Sequence, residues 1–87
     1  MTTIIIKTIN GEEIIASLDS KNENEITVSK PRKLVLQGSQ GGLMPYIISS
    51  PDAEGIVINR RAIAAMFEAP QDVANSYLQA TTSILLS

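Results

Sequence analysis

Apolar and polar residues alternate along much of the first third of the chain, a pattern typical of β-strands with one covered face. In the second such segment the side chains of Ile14, Ala16 and Leu18 fall on one side, and we expect that side to be buried. Ile15 is the single apolar residue on the other side, which we expect to be the outer face. Residues 4–6 are all isoleucine, which predicts a first strand covered on both faces.

Two turn signals connect these segments. The pair Asn10-Gly11 favours a hairpin in which both central residues adopt positive φ. A polar run, residues 20–24, marks the next connection, after which Ile26 and Val28 resume the alternation. The start of the chain is therefore predicted to be a three-stranded antiparallel meander.

The third strand is expected to bend sharply. Pro31 cannot donate to a strand ladder and belongs at an edge or a bulge, while apolar residues 34–36 continue the strand beyond it. Residues 37–42 are a loop by composition, and residues 56–67 hold two short apolar strands interrupted by Asn59-Arg60-Arg61. The pattern predicts a mainly β fold of five short antiparallel strands with a tight turn between the last two.

From about residue 70 to residue 86 the apolar spacing becomes that of a helix. The stripe contains Val73, Ala74, Tyr77, Leu78, Ala80, Thr81, Ile84 and Leu85. No charged residue follows Asp72, although a solvent-facing helix normally carries charges. Two interpretations stay open: another subunit covers the second face, or that face is simply polar and exposed.

Composition narrows the function classes. The 87 residues are expected to form one domain, and 44% of them are apolar with only three aromatic side chains, so the core should be aliphatic. Cysteine and histidine are absent, which excludes Cys/His zinc sites and Ser-His-Asp triads. We predict no enzyme activity, no catalytic residue, no metal and no cofactor. The chain shows neither a signal peptide nor a membrane-spanning run, so we expect a soluble cytoplasmic protein without a membrane partner.

The formal net charge is −2, but the basic residues are unevenly distributed. Five of the seven lie in two short clusters: Lys30, Arg32 and Lys33, then Arg60 and Arg61. A local positive patch can attract a polyanion to a protein of acidic net charge if such clusters meet in space.

These features together resemble the small barrel of the Sm and Sm-like proteins. Asn10-Gly11 with the aliphatic residues at 14 and 18 looks like the first Sm motif, and residues 19–24 look like its polar loop. The segment 58–63 looks like the second motif, although Asn59 and Arg60 stand where the family has arginine and glycine. The resemblance implies a five-stranded, SH3-like barrel over about residues 3–67, followed here by the helix of about residues 70–86.

The resemblance also implies a ring of about five to seven identical subunits that binds single-stranded nucleic acid, RNA more than DNA. The two motif loops would then lie together around the pore. They carry Lys21, Asn22, Asn24, Asn59, Arg60 and Arg61. The small aliphatic chain is also similar to marine phage proteins, which would place it in the host cytoplasm.

Each candidate residue has a structural alternative. Arg60 or Arg61 could pair with a neighbouring carboxylate, Asn22 and Asn24 could serve the turn, and the cluster at 30–33 could be a solvated strand edge. Tyr46 could stack on a base, whereas Tyr77 and Phe67 lie in apolar stripes and are expected in the core. The alternative function is a scaffolding oligomer of phage or host that docks through its uncharged helix and binds no nucleic acid.

Overall fold

A computed structural model describes residues 2–37 and 40–82. They form an antiparallel sheet followed by one C-terminal helix, which confirms the predicted mainly β fold. The elements are strands β1 (Thr2–Thr8), β2 (Glu13–Lys21), β3 (Glu25–Gln37), β4 (Gln40–Pro45) and β5 (Ile56–Asn59), a 3-10 turn (Arg60–Ala62), strand β6 (Ile63–Glu68) and helix α1 (Gln71–Thr82).

The sheet is open and has six strands, so the prediction of a five-stranded barrel was wrong. The described residues form six strands in the order β4-β3-β2-β1-β6, and β5 pairs separately with β3. Strand β3 is 13 residues long and has two partners on the edge away from β2: β5 along residues 25–28 and β4 along residues 32–37. Strands β5 and β6 follow each other in sequence, but their ladders run to β3 and β1, which leaves the sheet unclosed.

Both faces of the central strands are buried. One face carries the core cluster Ile4, Ile6, Ile14, Ala16, Ile26 and Val28. The other face carries Ile5 and Ile15, and Tyr77 of helix α1 covers them. The predicted cover on both sides of β1 is confirmed, but the prediction that Ile15 lies on the outer face was wrong, because the helix packs there and leaves Ile15 0% exposed.

The first hairpin uses a different turn from the predicted one. Gly11 has a φ of 89°, but Asn10 does not have positive φ, since Lys30 is the only non-glycine residue of the described chain that does. The Gly11 N–H donates to the Thr8 carbonyl at 3.0 Å, and the Thr8 N–H donates to the Glu12 carbonyl at 2.8 Å. These bonds describe a three-residue turn closed by a glycine bulge, in which only the glycine needs the left-handed conformation.

Strand β3 bends where the sequence predicted, one residue before Pro31. Lys30 has a φ of 51°, a conformation that costs a residue with a Cβ about 1–2 kcal/mol. Two long-range hydrogen bonds hold it there: its N–H donates to the Ala53 carbonyl at 2.8 Å, and its carbonyl accepts from the Tyr77 hydroxyl at 2.8 Å. The bend lets one strand serve both β5 and β4.

This bend yields a stability prediction. We expect Lys30→Val to have a free energy of unfolding about 1–2 kcal/mol lower than Lys30→Gly, because a β-branched side chain opposes positive φ. The matched pair at Lys33, in the extended part of β3, should show the opposite order, since glycine weakens a strand interior. Urea unfolding followed by circular dichroism measures all four variants. Equal stability of the two Lys30 variants would contradict the strained bend.

Helix α1 covers the sheet with one narrow face. Its buried residues are Ala74, Tyr77 and Thr81, whereas Leu78 and Ala80 are exposed, so the apolar face is narrower than the predicted stripe. Residues 83–86 of the predicted helix lie outside the described residues. The part of the chain that the structure describes holds no helix able to cross a bilayer.

Phe67 lies outside the core, contrary to the prediction. It is 51% exposed on β6, where it is paired with Ile5 of β1 in the register of the sheet. Helix α1 covers Ile5 but leaves Phe67 beyond its edge, because the helix packs over β1 and β2 through Tyr77. Position in an apolar segment was therefore a poor guide to burial at this edge strand.

Candidate nucleic-acid interface

Two loops that are far apart in sequence meet at one corner of the sheet. The pairing of β3 with β5 sets Glu25 opposite Asn59, so the residues just before Glu25 lie beside the residues just after Asn59. The Arg60 N–H donates to the Asn24 carbonyl at 3.0 Å, and Arg60 Nε donates to the Asn22 carbonyl at 2.6 Å. This contact makes one surface of the connection 22–24 and the 3-10 turn, which we call the loop corner.

The asparagine side chains shape this corner. Asn22 Oδ1 accepts from the backbone N–H groups of Asn24 and Glu25 at 2.8 and 2.9 Å, which is an Asx turn. Asn59 Oδ1 accepts from the Arg61 N–H at 2.8 Å and caps the 3-10 turn. The turn-forming role considered for Asn22 is thus present, and the side-chain amide nitrogens of Asn22 and Asn59 are left as the groups that could meet a ligand.

The two arginines differ in their engagement. Arg61 is exposed, while Arg60 is half-buried and spends its Nε on the Asn22 carbonyl. Within the described residues neither guanidinium has a carboxylate oxygen within 4.0 Å; the ion pairs there are Lys7–Glu13, Arg32–Asp52 and Lys33–Glu12. Among the described residues, Arg60 and Arg61 therefore do not form the salt bridge that was considered as their structural role.

An open pocket of about 410 Å³ lies at the loop corner. Its lining residues are Glu23, Asn24, Asn59, Arg60 and Arg61. Lys21 is exposed at the end of β2, just before this loop, and does not line the cavity. The sequence analysis did not name Glu23 as a site residue, although its position between Asn22 and Asn24 could have indicated it. The Glu23 carboxylate weakens the positive field of the two guanidinium groups.

The second basic cluster is largely neutralised by its own partners. The Arg32 guanidinium pairs with Asp52 at 2.6 Å and has a side chain only 12% exposed. Lys33 pairs with Glu12 at 3.5 Å, and Lys30 is half-buried at the bend of β3. The partners of Arg32 and Lys33 are thus Asp52 and Glu12, and neither residue belongs to the loop corner. The contacts of the loop corner are made by residues 22–24 and 59–61.

Tyr46 is half-buried and packs against the core cluster that contains Ile4 and Val28. Its N–H donates to the Pro31 carbonyl at 3.3 Å, so it sits beside the bend of β3. A ring that packs on the core has less of its surface available for stacking on a base.

The described residues contain no group of three or more Asp and Glu side chains that could hold a metal ion. What the loop corner offers is guanidinium and amide donors on a fixed backbone, which is chemistry for binding anions and base edges. The sequence matches no protein-family model, and no curated protein matches it.

Proposed function

We propose that this protein binds single-stranded nucleic acid, RNA in preference to DNA, as a non-catalytic Sm-like ring of identical subunits. The observation that carries the proposal is the loop corner, where Arg60 and Arg61 stand together without a carboxylate in ion-pair range. Phosphate contacts from such groups supply sequence-tolerant affinity, and amide groups of asparagine can reach base edges. Lacking cysteine, the chain suits the reducing cytoplasm, where we place it.

The strand edges beside the loop corner support assembly. Among the described strands, β5 pairs only with β3 and β6 only with β1, so each offers a free edge. Val57 on β5 and Phe67 on β6 are 57% and 51% exposed. Pairing of one subunit's β5 with its neighbour's β6 would satisfy both edges and cover this apolar surface. The same pairing would repeat the loop corner around a common axis.

A second candidate function is that of a scaffolding oligomer without nucleic acid. Its specific support is apolar exposure on the charge-free segment 34–51, where Leu36 is 80% and Ile48 is 84% exposed. Apolar side chains that remain this exposed are surface that a protein partner could cover.

Two measurements on the purified chain separate these functions. Light scattering is expected to give a mass of several subunits, and fluorescence anisotropy with labelled oligo-U at low salt is expected to show binding that weakens steeply as salt is added. Labelled oligo-dT should bind more weakly. An oligomer indifferent to both oligonucleotides would favour the scaffold, and a folded monomer that binds neither would contradict both proposals.

A further inference from the structure

A second cavity, of 370 Å³, lies on the helix side of the sheet, away from the residues of the loop corner. It is formed by β2, the bend of β3 and the last turns of α1, and we call it the hydroxyl cavity. Its lining includes Ser17, Asp19, Ser29, Lys30, Glu54 and Thr81, with Leu78 as the apolar contribution of the helix. Hydroxyl and carboxylate groups thus dominate its polar wall.

The positions of the hydroxyl protons follow from Tyr77. Its hydroxyl lies 2.8 Å from the Lys30 carbonyl and 3.1 Å from the Ser29 carbonyl, and a carbonyl oxygen can only accept. Burial raises the pKa of Tyr77 above its usual 10.0, so the phenol keeps its proton and donates it to these carbonyls. The contact between Tyr77 and Ser17 is 3.4 Å long, and because the Tyr77 proton is directed at the carbonyls, any hydrogen bond in this contact is donated by Ser17.

Two buried hydroxyl groups consequently present only lone pairs to the cavity. Ser17 is 5% exposed and gives its proton to Tyr77, while Thr81 is 7% exposed and gives its proton to the Tyr77 carbonyl at 3.0 Å. With Ser17 as the donor to Tyr77, no N–H or O–H group of the described residues donates to Ser17 Oγ or Thr81 Oγ1. Their acceptor capacity is unused.

The charged side chains of the wall also favour a ligand that donates hydrogen bonds. Asp19 accepts from the Ser29 hydroxyl and retains further lone pairs, and Glu54 adds a second carboxylate at the rim. Lys30 also lines the cavity, and none of the described ion pairs joins it to Asp19 or Glu54. Two carboxylates and one ammonium leave a local formal charge of −1, which complements a single positive charge.

We propose that the hydroxyl cavity binds a small primary alkylamine in its ammonium form. An ammonium group has three donors and no acceptor, which matches the unused acceptors of Ser17, Thr81 and Asp19 on this wall. Leu78, 41% exposed, supplies apolar surface for the alkyl part. A neutral alcohol of the same length would bring an acceptor lone pair and no charge, so the cavity should discriminate against it.

The test is a titration of the ¹⁵N-labelled chain with n-butylammonium, followed by amide chemical shifts. We expect saturable shifts at Ser17, Ser29 and Thr81, which line the cavity, and none with n-butanol. Glu54→Gln removes an exposed carboxylate and should weaken the affinity at least about threefold, and Asp19→Asn at least about tenfold. The matched control is Glu23→Gln, which removes the same charge at the loop corner and should leave butylammonium affinity unchanged.

Two further arms complete the design. Lys30→Gln removes the competing ammonium and should raise the affinity. N-acetyl-lysinamide distinguishes the sources: binding as tight as that of butylammonium would show that the cavity also accepts a protein lysine, and weaker binding would restrict it to a free amine. Equal shifts with butanol, no saturable shift with butylammonium, or wild-type affinity in both Asp19→Asn and Glu54→Gln would overturn the proposal. Because oligonucleotide binding uses other residues, its presence or absence is independent of this outcome.

Discussion

Replacing Tyr77 by alanine is expected to lower the free energy of unfolding by about 3–5 kcal/mol, the range for removing a buried aromatic ring. Tyr77 is 0% exposed, packs on Ile5 and Ile15, and supplies the hydroxyl that holds the Lys30 carbonyl at the bend of β3. A domain of this size has only about 4–13 kcal/mol of total stability, so the variant should be close to unfolding. Urea unfolding followed by circular dichroism at several wavelengths is the measurement.

The controls separate the ring from the hydroxyl. In the single subunit, measured at a dilution where the ring of subunits has dissociated, Phe67→Ala removes an aromatic ring of similar size that is 51% exposed, and should cost about 1 kcal/mol or less. Tyr77→Phe keeps the ring and removes the hydrogen bond to the Lys30 carbonyl, with an expected cost of about 1–3 kcal/mol because that part-buried carbonyl loses its partner. If Tyr77→Ala were no more destabilising than Phe67→Ala, the docking of helix α1 on Ile15 would be wrong.

The double change Arg60→Ala and Arg61→Ala is expected to lower oligo-U affinity at low salt by at least about a hundredfold, because every subunit of a ring would lose two phosphate-binding groups. The dependence of affinity on salt should flatten as well, since fewer counterions are released on binding. Fluorescence anisotropy at several salt concentrations measures both quantities. The matched control is Lys7→Ala with Lys33→Ala, which removes two positive charges whose partners are Glu13 and Glu12.

The two single substitutions, Arg60→Ala and Arg61→Ala, should differ in their effect on stability. Arg61→Ala is expected to weaken binding without altering stability, because its side chain is exposed and makes no hydrogen bond within the described residues. Arg60→Ala should weaken binding and also lower the free energy of unfolding by about 1 kcal/mol, since its Nε holds the Asn22 carbonyl. Wild-type affinity in Arg61→Ala, or an equal loss in the lysine control, would contradict the loop corner as the binding surface.

Sequence patterns predicted most of the local elements of this chain, although residues 40–42, predicted to be loop, belong to β4. Isoleucine at positions 4–6, the alternation around Ile14 and the change to helical spacing after residue 70 mark strands and a helix that the structure contains. Pro31 marked the bend of β3, because a residue without an N–H interrupts a ladder wherever it stands. The resemblance to the Sm motifs implied that residues 22–24 and residues 59–61 lie together, and the hydrogen bond from Arg60 to the Asn22 carbonyl joins them. Binding at that corner remains a proposal.

Spacing along the chain determines which side chains share a face, because consecutive residues of a strand point in opposite directions. It does not determine which faces are covered. Ser17 and Tyr77 are 60 residues apart in sequence, yet the docking that joins them buries Ile15, leaves Phe67 exposed and creates the hydroxyl cavity. The ion pair of Arg32 with Asp52 and the openness of the sheet likewise depend on where β4 and β5 pair along β3, and the ion pair of Lys33 with Glu12 depends on the pairing of β2 with β3. Contacts between distant segments form only when the whole chain packs, so only the tertiary structure could decide them.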